Sequence, residues 1–376
     1  MHKNTAFKRL NFSFGLIDGF FEKCYNYALI RICFLQKGGN KMILPVKAGQ
    51  TNYDIVIESG CLKRAGELLS LNRKVLVVTD DGVPPQYAET VASFCDKAII
   101  KTVPQGECSK SFKVLEELEF ILMENNFSRT DCVVAVGGGV VGDLSGFTAA
   151  CYMRGIDFYN IPTTVLSQVD SSIGGKTAIN LGSIKNIVGA FYQPKKVLID
   201  VELLKTLPPR QVSNGLAEAV KMSLTSDSEL FDIFENGNIE ESLQTIIEKS
   251  LKIKKYVVEQ DEKEMGLRKI LNFGHTIGHG IESFENLSGL YHGECVALGM
   301  LPMCSDKVRD RLIPVLKKLN LPTTCSLDME KVFEAMTHDK KTSGTDITVT
   351  TVEKVGEYTL TKVPVSSLAQ KLELFN

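Results

Sequence analysis

Residues 131–143 read DCVVAVGGGVVGD, from Asp131 to Asp143: an apolar run that passes directly into glycine. The segment from Asp131 to Val136 has the length and β-branched content of a buried strand, and a helix is expected from Leu144. Glycines at a strand-to-helix turn let backbone N–H groups approach a phosphate closely, and the positive end of the helix favours the negative charge. Gly137, Gly139 and Gly142 meet the G-x-G-x-x-G spacing. Other strands precede this one, so it is not the first strand-helix unit of its domain, and the ordinary dinucleotide fingerprint is met in form only. The competing reading is that the glycines merely allow tight packing.

Working outward, the preceding residues repeat the same grammar. Ile43 to Val46 and Tyr53 to Ile57 read as a hairpin or strand pair, Lys74 to Thr79 as a short buried strand, and Lys97 to Val103 as another. Between them, residues 85–95 and 111–125 carry helical spacing, as in Phe112, Leu115, Leu118 and Leu122. Strand and helix in alternation predict an α/β domain with a parallel sheet. In such a sheet the loops beyond the strand carboxyl ends share one crevice, which would gather Asp80, Glu107 and the glycine turn. On the other side, residues 161–194 are polar and glycine-rich with no long periodic run, and read as a surface or active-site loop. Asp170 and Lys176 lie in it among small residues. The Gly174-Gly175-Lys176-Thr177 run has Asp170 where a phosphate-binding P-loop needs glycine, which excludes that motif.

A second concentration of chemistry lies at residues 271–294, LNFGHTIGHGIESFENLSGLYHGE, which hold three of the five histidines. His275 and His279 are four apart, one turn on a helix face, and His292 follows a Ser288-Gly289 break. Imidazoles so grouped, with a third donor from elsewhere, match an open metal site; polar groups on an amphipathic helix are the plainer alternative.

At 376 residues the chain exceeds one ordinary core and fits two domains. A formal net charge of −2 gives no global attraction to nucleic acid or membrane, so an anion site must be built locally. The ten cysteines are scattered with no CxxC pair, as in a reduced, cytoplasmic protein. Residues 1–41 differ from the rest. Asp18, Glu22 and Lys23 interrupt each apolar run before it could span a membrane. Lys37-Gly38-Gly39-Asn40-Lys41 could be encoded by a purine-rich ribosome-binding sequence ahead of Met42. Residues 1–41 are therefore expected to be an extension and translated leader, an expectation that native peptides from residues 10–35 would refute.

The series GGGVVGD, YMRG, IPTT, QVDSSIGGKT, KNIVGAFYQP, LAEAVK, GLRKILNFGHTIGH and HGE resembles the 3-dehydroquinate synthase family of sugar-phosphate cyclases, over residues 42–365. The resemblance implies an N-terminal α/β NAD-binding domain with a parallel sheet, residues 42–200, and a mainly α-helical metal- and substrate-binding domain, residues 201–376. It also implies a shikimate-pathway activity on 3-deoxy-D-arabino-heptulosonate 7-phosphate, with catalytic NAD, Zn2+ or Co2+, and a homodimer in which Arg154 reaches across.

By the same resemblance the metal ligands are Glu218, His275 and His292, which makes His279 a substrate-side group rather than the second ligand. Lys176, Asn186, Lys221, Asn272 and His279 surround the phosphate, with Lys340 or Lys341 of the later DKK run, while Lys254 and Arg268 take the carboxylate. Asp170 handles the C4 and C5 hydroxyl protons. NAD contacts implied are Asp80, Glu107, Lys110, Gly138, Gly139, Asp143, Thr163, Thr164 and Thr206. Hydride leaves C5, phosphate is eliminated, and the same hydride returns before aldol closure. Leu181-Gly182-Ser183-Ile184 departs from the histidine-proline type of sequence common in the family at that place. Alternatives are another sugar-phosphate cyclase, a metal-dependent polyol dehydrogenase, or a catalytically silent binding protein; Arg268 favours a substrate with a carboxylate.

Overall fold

The computed structural model describes residues 41–182, 184–285, 289–326, 328–338 and 346–375. The extension before residue 41, and Lys340 and Lys341, lie outside the described residues. Strand β5, Cys132–Gly137, is buried along its whole length at the middle of a sheet. The first strands are β1 (Met42–Ala48), β2 (Thr51–Ile57), β3 (Lys74–Asp80) and β4 (Lys97–Val103); β6 (Asp157–Pro162) and β9 (Lys196–Ile199) complete a seven-stranded sheet in the order β1-β2-β9-β6-β5-β3-β4. All neighbours run parallel except β1 and β2.

Side chains alternate across each strand, and the two faces are both buried. Val75, Val77, Cys132, Val134 and Val136 join one core, under helix α1 (Pro85–Ala92). Leu76, Val78, Val133 and Ala135 join the other, under α2 (Phe112–Glu124) and α3 (Gly139–Cys151). Helix α3 begins at Gly139, five residues before the expected Leu144. The glycines do not precede the helix but form its first turn, with Gly142 N–H donating to Gly138 O at 3.0 Å.

The polar stretch after β6 is more regular than its sequence suggests. A π-helical turn, Ser167–Ser171, is followed by an antiparallel pair, β7 (Lys176–Leu181) and β8 (Ile184–Phe191). Most of β8 is exposed, so no apolar alternation marks it as a strand.

After β9 the chain is mainly helical: α4 (Pro209–Ser226), α5 (Ser228–Asn236), α6 (Ile239–Gln260), α7 (His275–Glu285), α8 (His292–Met300), α9 (Asp306–Lys318) and α10 (Met329–His338). Their apolar faces share a core with Val46, Ile55 and Ile57, so the antiparallel end of the sheet is packed into the helical half. A hairpin of β10 (Asp346–Lys354) and β11 (Glu357–Pro364), turning at Val355 and Gly356, is added to this mainly helical half and was not picked out from the sequence. No helix among the described residues is long and apolar enough to cross a membrane.

Candidate active site

Three helices bring Glu218 (α4), His275 (α7) and His292 (α8) together because glycines let their backbones touch. A methyl group on Gly293 would overlap the Asn214 carbonyl of α4, and one on Gly299 would overlap the carbonyl of Gly274 just before α7. Gly278 would meet the Cys295 carbonyl at 3.0 Å. The start of α8 is fixed by Glu294, which takes both Nε and Nη2 of Arg210 at 2.7 Å and the Tyr291 N–H at 2.8 Å. Glu294 of the HGE motif therefore builds the helix start rather than the metal set.

Oε1 of Glu218 lies 3.4 Å from Nε2 of His275 and 3.3 Å from Nε2 of His292. It is buried, yet no donor addresses it with hydrogen-bond geometry. Nδ1 of His275 meets the Phe273 carbonyl at 3.2 Å and must be the donor there, because a carbonyl only accepts. That leaves the lone pair on Nε2, turned towards Glu218. Burial and the nearby Lys221 ammonium push His275 down to about 3, so the ring is neutral. Burial opposes charge on Glu218 as well, but the Lys221 ammonium, with His292, holds its carboxyl well below the usual range. An orphaned carboxylate oxygen facing two imidazole nitrogens fits a divalent metal ion, and the donor atoms all lie within 4.8 Å of one another.

The second set of groups is cationic, and each cation already has a partner. Lys221, fully buried, pairs with Oε2 of Glu218. Lys254 of α6 lies 2.6 Å from Oδ1 of Asp170 and donates to the Asp170 carbonyl at 2.6 Å. Burial disfavours both charges: Lys254 is drawn down to about 8 despite Asp170, whereas Lys254 and Lys221 hold Asp170 below the ordinary carboxyl range. Arg268 is 3% exposed and lies against Gly174, whose φ of 100° leaves no room for a side chain facing the guanidinium. Lys176 and Asn272 meet at Glu264: Lys176 pairs with Oε2, and Asn272 donates to Oε1 at 2.9 Å.

The expected phosphate group is thus divided in this state. Lys176 and Asn272 converge, His279 stands 5.2 Å from His275 and 5.9 Å from His292 between ring centres, and Asn186 is held elsewhere. Asn186, at φ 57°, accepts from Lys110, which also reaches Asp143 at 2.6 Å and Glu107 at 3.7 Å. Sequence reading missed Glu264 and Glu282, carboxylates that look like solvated helix or loop residues. The only available cue was spacing: Glu282 follows His279 by three residues, one turn along α7.

The remaining expected contacts lie along the carboxyl edge of adjacent parallel strands. Asp80 ends β3, Glu107 and Lys110 follow β4, Gly138 and Gly139 follow β5, Thr163 and Thr164 follow β6, and Thr206 follows β9. The order reverses between β3 and β5, and ligands in open α/β sheets bind at such a point. A Cβ on Gly138 would come 3.2 Å from Thr164, and one on Gly139 would come 3.0 Å from Ser171 Oγ, so side chains here would crowd the cradle that the glycines leave open. This fits a pyrophosphate at the start of α3. Asp80 bends back to accept from Gly82 N–H at 2.9 Å, and burial raises its pKa. Arg154 is set apart. It follows the far end of α3, about 20 Å from the glycine turn by helix rise, and is exposed at φ 68° beside Met153 at φ 49°.

Residues 100–214 match the family model described as 3-dehydroquinate synthase N-terminal, and residues 215–342 the one described as 3-dehydroquinate synthase C-terminal. A protein named 3-dehydroquinate synthase from Enterococcus faecalis is 42% identical over 348 residues, covering 87% of this chain and 97% of its own. Its namesake from Streptococcus suis is 39% identical over 355 residues, covering 89% and 100%. Among solved structures, 2-deoxy-scyllo-inosose synthase complexed with carbaglucose-6-phosphate, NAD+ and Co2+ is similar with TM-score 0.80 and 26% identity, covering 89% of this chain and 100% of its own. The 2-epi-5-epi-valiolone synthase of Streptomyces hygroscopicus subsp. jinggangensis, with NAD+ and Zn2+ bound, has TM-score 0.79 and 25% identity, covering 88% and 98%.

Proposed function

The chain belongs to the 3-dehydroquinate synthase family, and from that membership we propose that it converts 3-deoxy-D-arabino-heptulosonate 7-phosphate to 3-dehydroquinate and phosphate. The observation that carries the choice of substrate is Arg268: a guanidinium buried beside Gly174 has a use for a substrate carboxylate, which a simple phosphosugar lacks. The metal-dependent polyol dehydrogenase reading has no use for that residue.

When bound, NAD supplies reversible hydride acceptance at C5, and a divalent ion, Zn2+ or Co2+, supplies a Lewis acid for the hydroxyl being oxidised. Glu218, His275 and His292 are the residues that hold the ion. Glu107, Lys110, Asp143 and the Gly138-Gly139 turn, with Asp80, Thr163, Thr164 and Thr206, hold the cofactor. Asp170 stays ionised between Lys254 and Lys221 and accepts hydrogen bonds from the C4 and C5 hydroxyls. Lys254 and Arg268 orient the carboxylate. Lys176, Asn272, His279 and Asn186 receive the phosphate, whose own oxygen takes the C6 proton as it leaves. Lys221 keeps Glu218 charged. The division into residues 42–200 and 201–376 and a cytoplasmic location belong to the same proposal.

The pairing into a homodimer rests on exposed apolar side chains of the turn that carries Arg154 and of the β7–β8 pair. Met153, Leu181, Ile184, Ile187 and Phe191 are all exposed, on the turn after α3 and on the β7–β8 pair. A second copy seated on this side of the molecule would bring the partner's Arg154 to the site of this chain.

Purified protein given the heptulosonate phosphate, NAD and Zn2+ or Co2+ is expected to release phosphate without net NADH. NADH accumulating without phosphate release would overturn the reading in favour of a dehydrogenase.

A further inference from the structure

His292 stands at the first position of α8, as His275 does of α7, and its ring too is held from outside its own helix. That hold comes from α7. Nδ1 of His292 lies 3.0 Å from Oε2 of Glu282, and the carboxylate can only accept, so Nδ1 carries the proton and Nε2 is left towards Glu218. The other oxygen of Glu282 is engaged too: Oε1 accepts from Nζ of Lys185 at 2.8 Å. Lys185 sits on β8, in the hairpin that departs from the common family sequence just before it. A metal-binding imidazole whose second nitrogen is held by a carboxylate has its tautomer and its orientation fixed, and loss of such a partner commonly costs about 10–100-fold in metal affinity.

We propose that Glu282 is the positioning residue that orients His292 for the metal, and that Lys185, reaching over from β8, holds Glu282 in place. The inference rests on His292 being a ligand, as proposed above. His279, Glu282 and His292 could also be read as a second donor set, since their ligand atoms too lie within 4.8 Å of one another. The first set is the better one, because it uses a buried carboxylate oxygen that lacks any other partner, whereas Glu282 has both oxygens satisfied.

The test is zinc affinity and stoichiometry of the full-length protein, measured by competition with a chromophoric chelator without substrate. Wild type is expected to bind one ion per chain. His292→Ala is expected to lose it; retention would show that the ligand assignment itself fails. Given that loss, Glu282→Ala is expected to bind zinc about 10–100-fold more weakly. Glu282→Gln, which can still accept from Nδ1–H, should recover part of the affinity, and Lys185→Met should fall between wild type and Glu282→Ala. Melting temperatures of the metal-free variants control for misfolding. Wild-type zinc affinity in Glu282→Ala, or two ions per chain in wild type with one lost in Glu282→Ala, would overturn the proposal, the latter by making Glu282 a ligand.

Discussion

At the scale of single residues, the site is made of charges that the fold holds in fixed protonation states. Lys254 is poised to change not far above neutrality, since burial draws it down to about 8. It is charged below that pH and loses its charge above it, so carboxylate binding should weaken as pH rises. We expect kcat/KM to fall above pH 8 by about tenfold per unit, and Lys254→Arg to move that limb upward because a guanidinium stays charged. A profile flat well beyond that pH would refute the assignment. Lys176→Ala and His292→Ala should both lose turnover by different routes: the first keeps its full zinc content, the second does not, and metal analysis separates them. The histidine cluster stood out because histidine is scarce here, and Glu218 and the cations other than Lys176 were singled out only through the long family motifs. Glu264 and Glu282 were not, because a carboxylate on a helix or turn looks solvated until its partners are located.

At the scale of elements, the metal set depends on how closely three helices approach. Gly293→Ala would push α8 away from the Asn214 carbonyl of α4. We expect a loss of about 1–3 kcal/mol in stability, with a disproportionate loss of zinc, read from a thermal melt beside metal analysis; unchanged zinc affinity would show that the close approach is not needed. Strands β1 to β5 were legible as short apolar or alternating runs, most plainly β3 and β5, which are buried on both faces, whereas β6 and β9 were not picked out. Two hairpins escaped for opposite reasons. β8 is exposed and alternates in nothing, whereas β10 and β11 do alternate around Gly356, but the expectation of a helical half hid them. The start of α3 was placed late because glycine disfavours helix interiors, yet here it occupies a first turn where close approach outweighs propensity.

At the scale of the whole molecule, the exposed Arg154 sets the oligomer test. If each site borrows Arg154 from the partner, Arg154→Ala and Lys176→Ala are each inactive, but a mixed dimer regains one intact site. Equal mixing should restore about a quarter of wild-type turnover per site under random assortment of a two-fold dimer; no restoration after verified exchange would refute the crossing. A last consequence concerns how the substrate arrives. The cations of the site are already matched within the chain, Lys176 by Glu264, Lys221 by Glu218 and Lys254 by Asp170, in a protein of formal net charge −2. From beyond a Debye length such pairs are nearly silent, so an approaching anion feels little long-range pull. The second-order rate should therefore depend only weakly on ionic strength, and Glu264→Ala, which unmasks Lys176, should steepen that dependence. Capture is then decided after contact, when the phosphate exchanges places with a carboxylate of the enzyme itself.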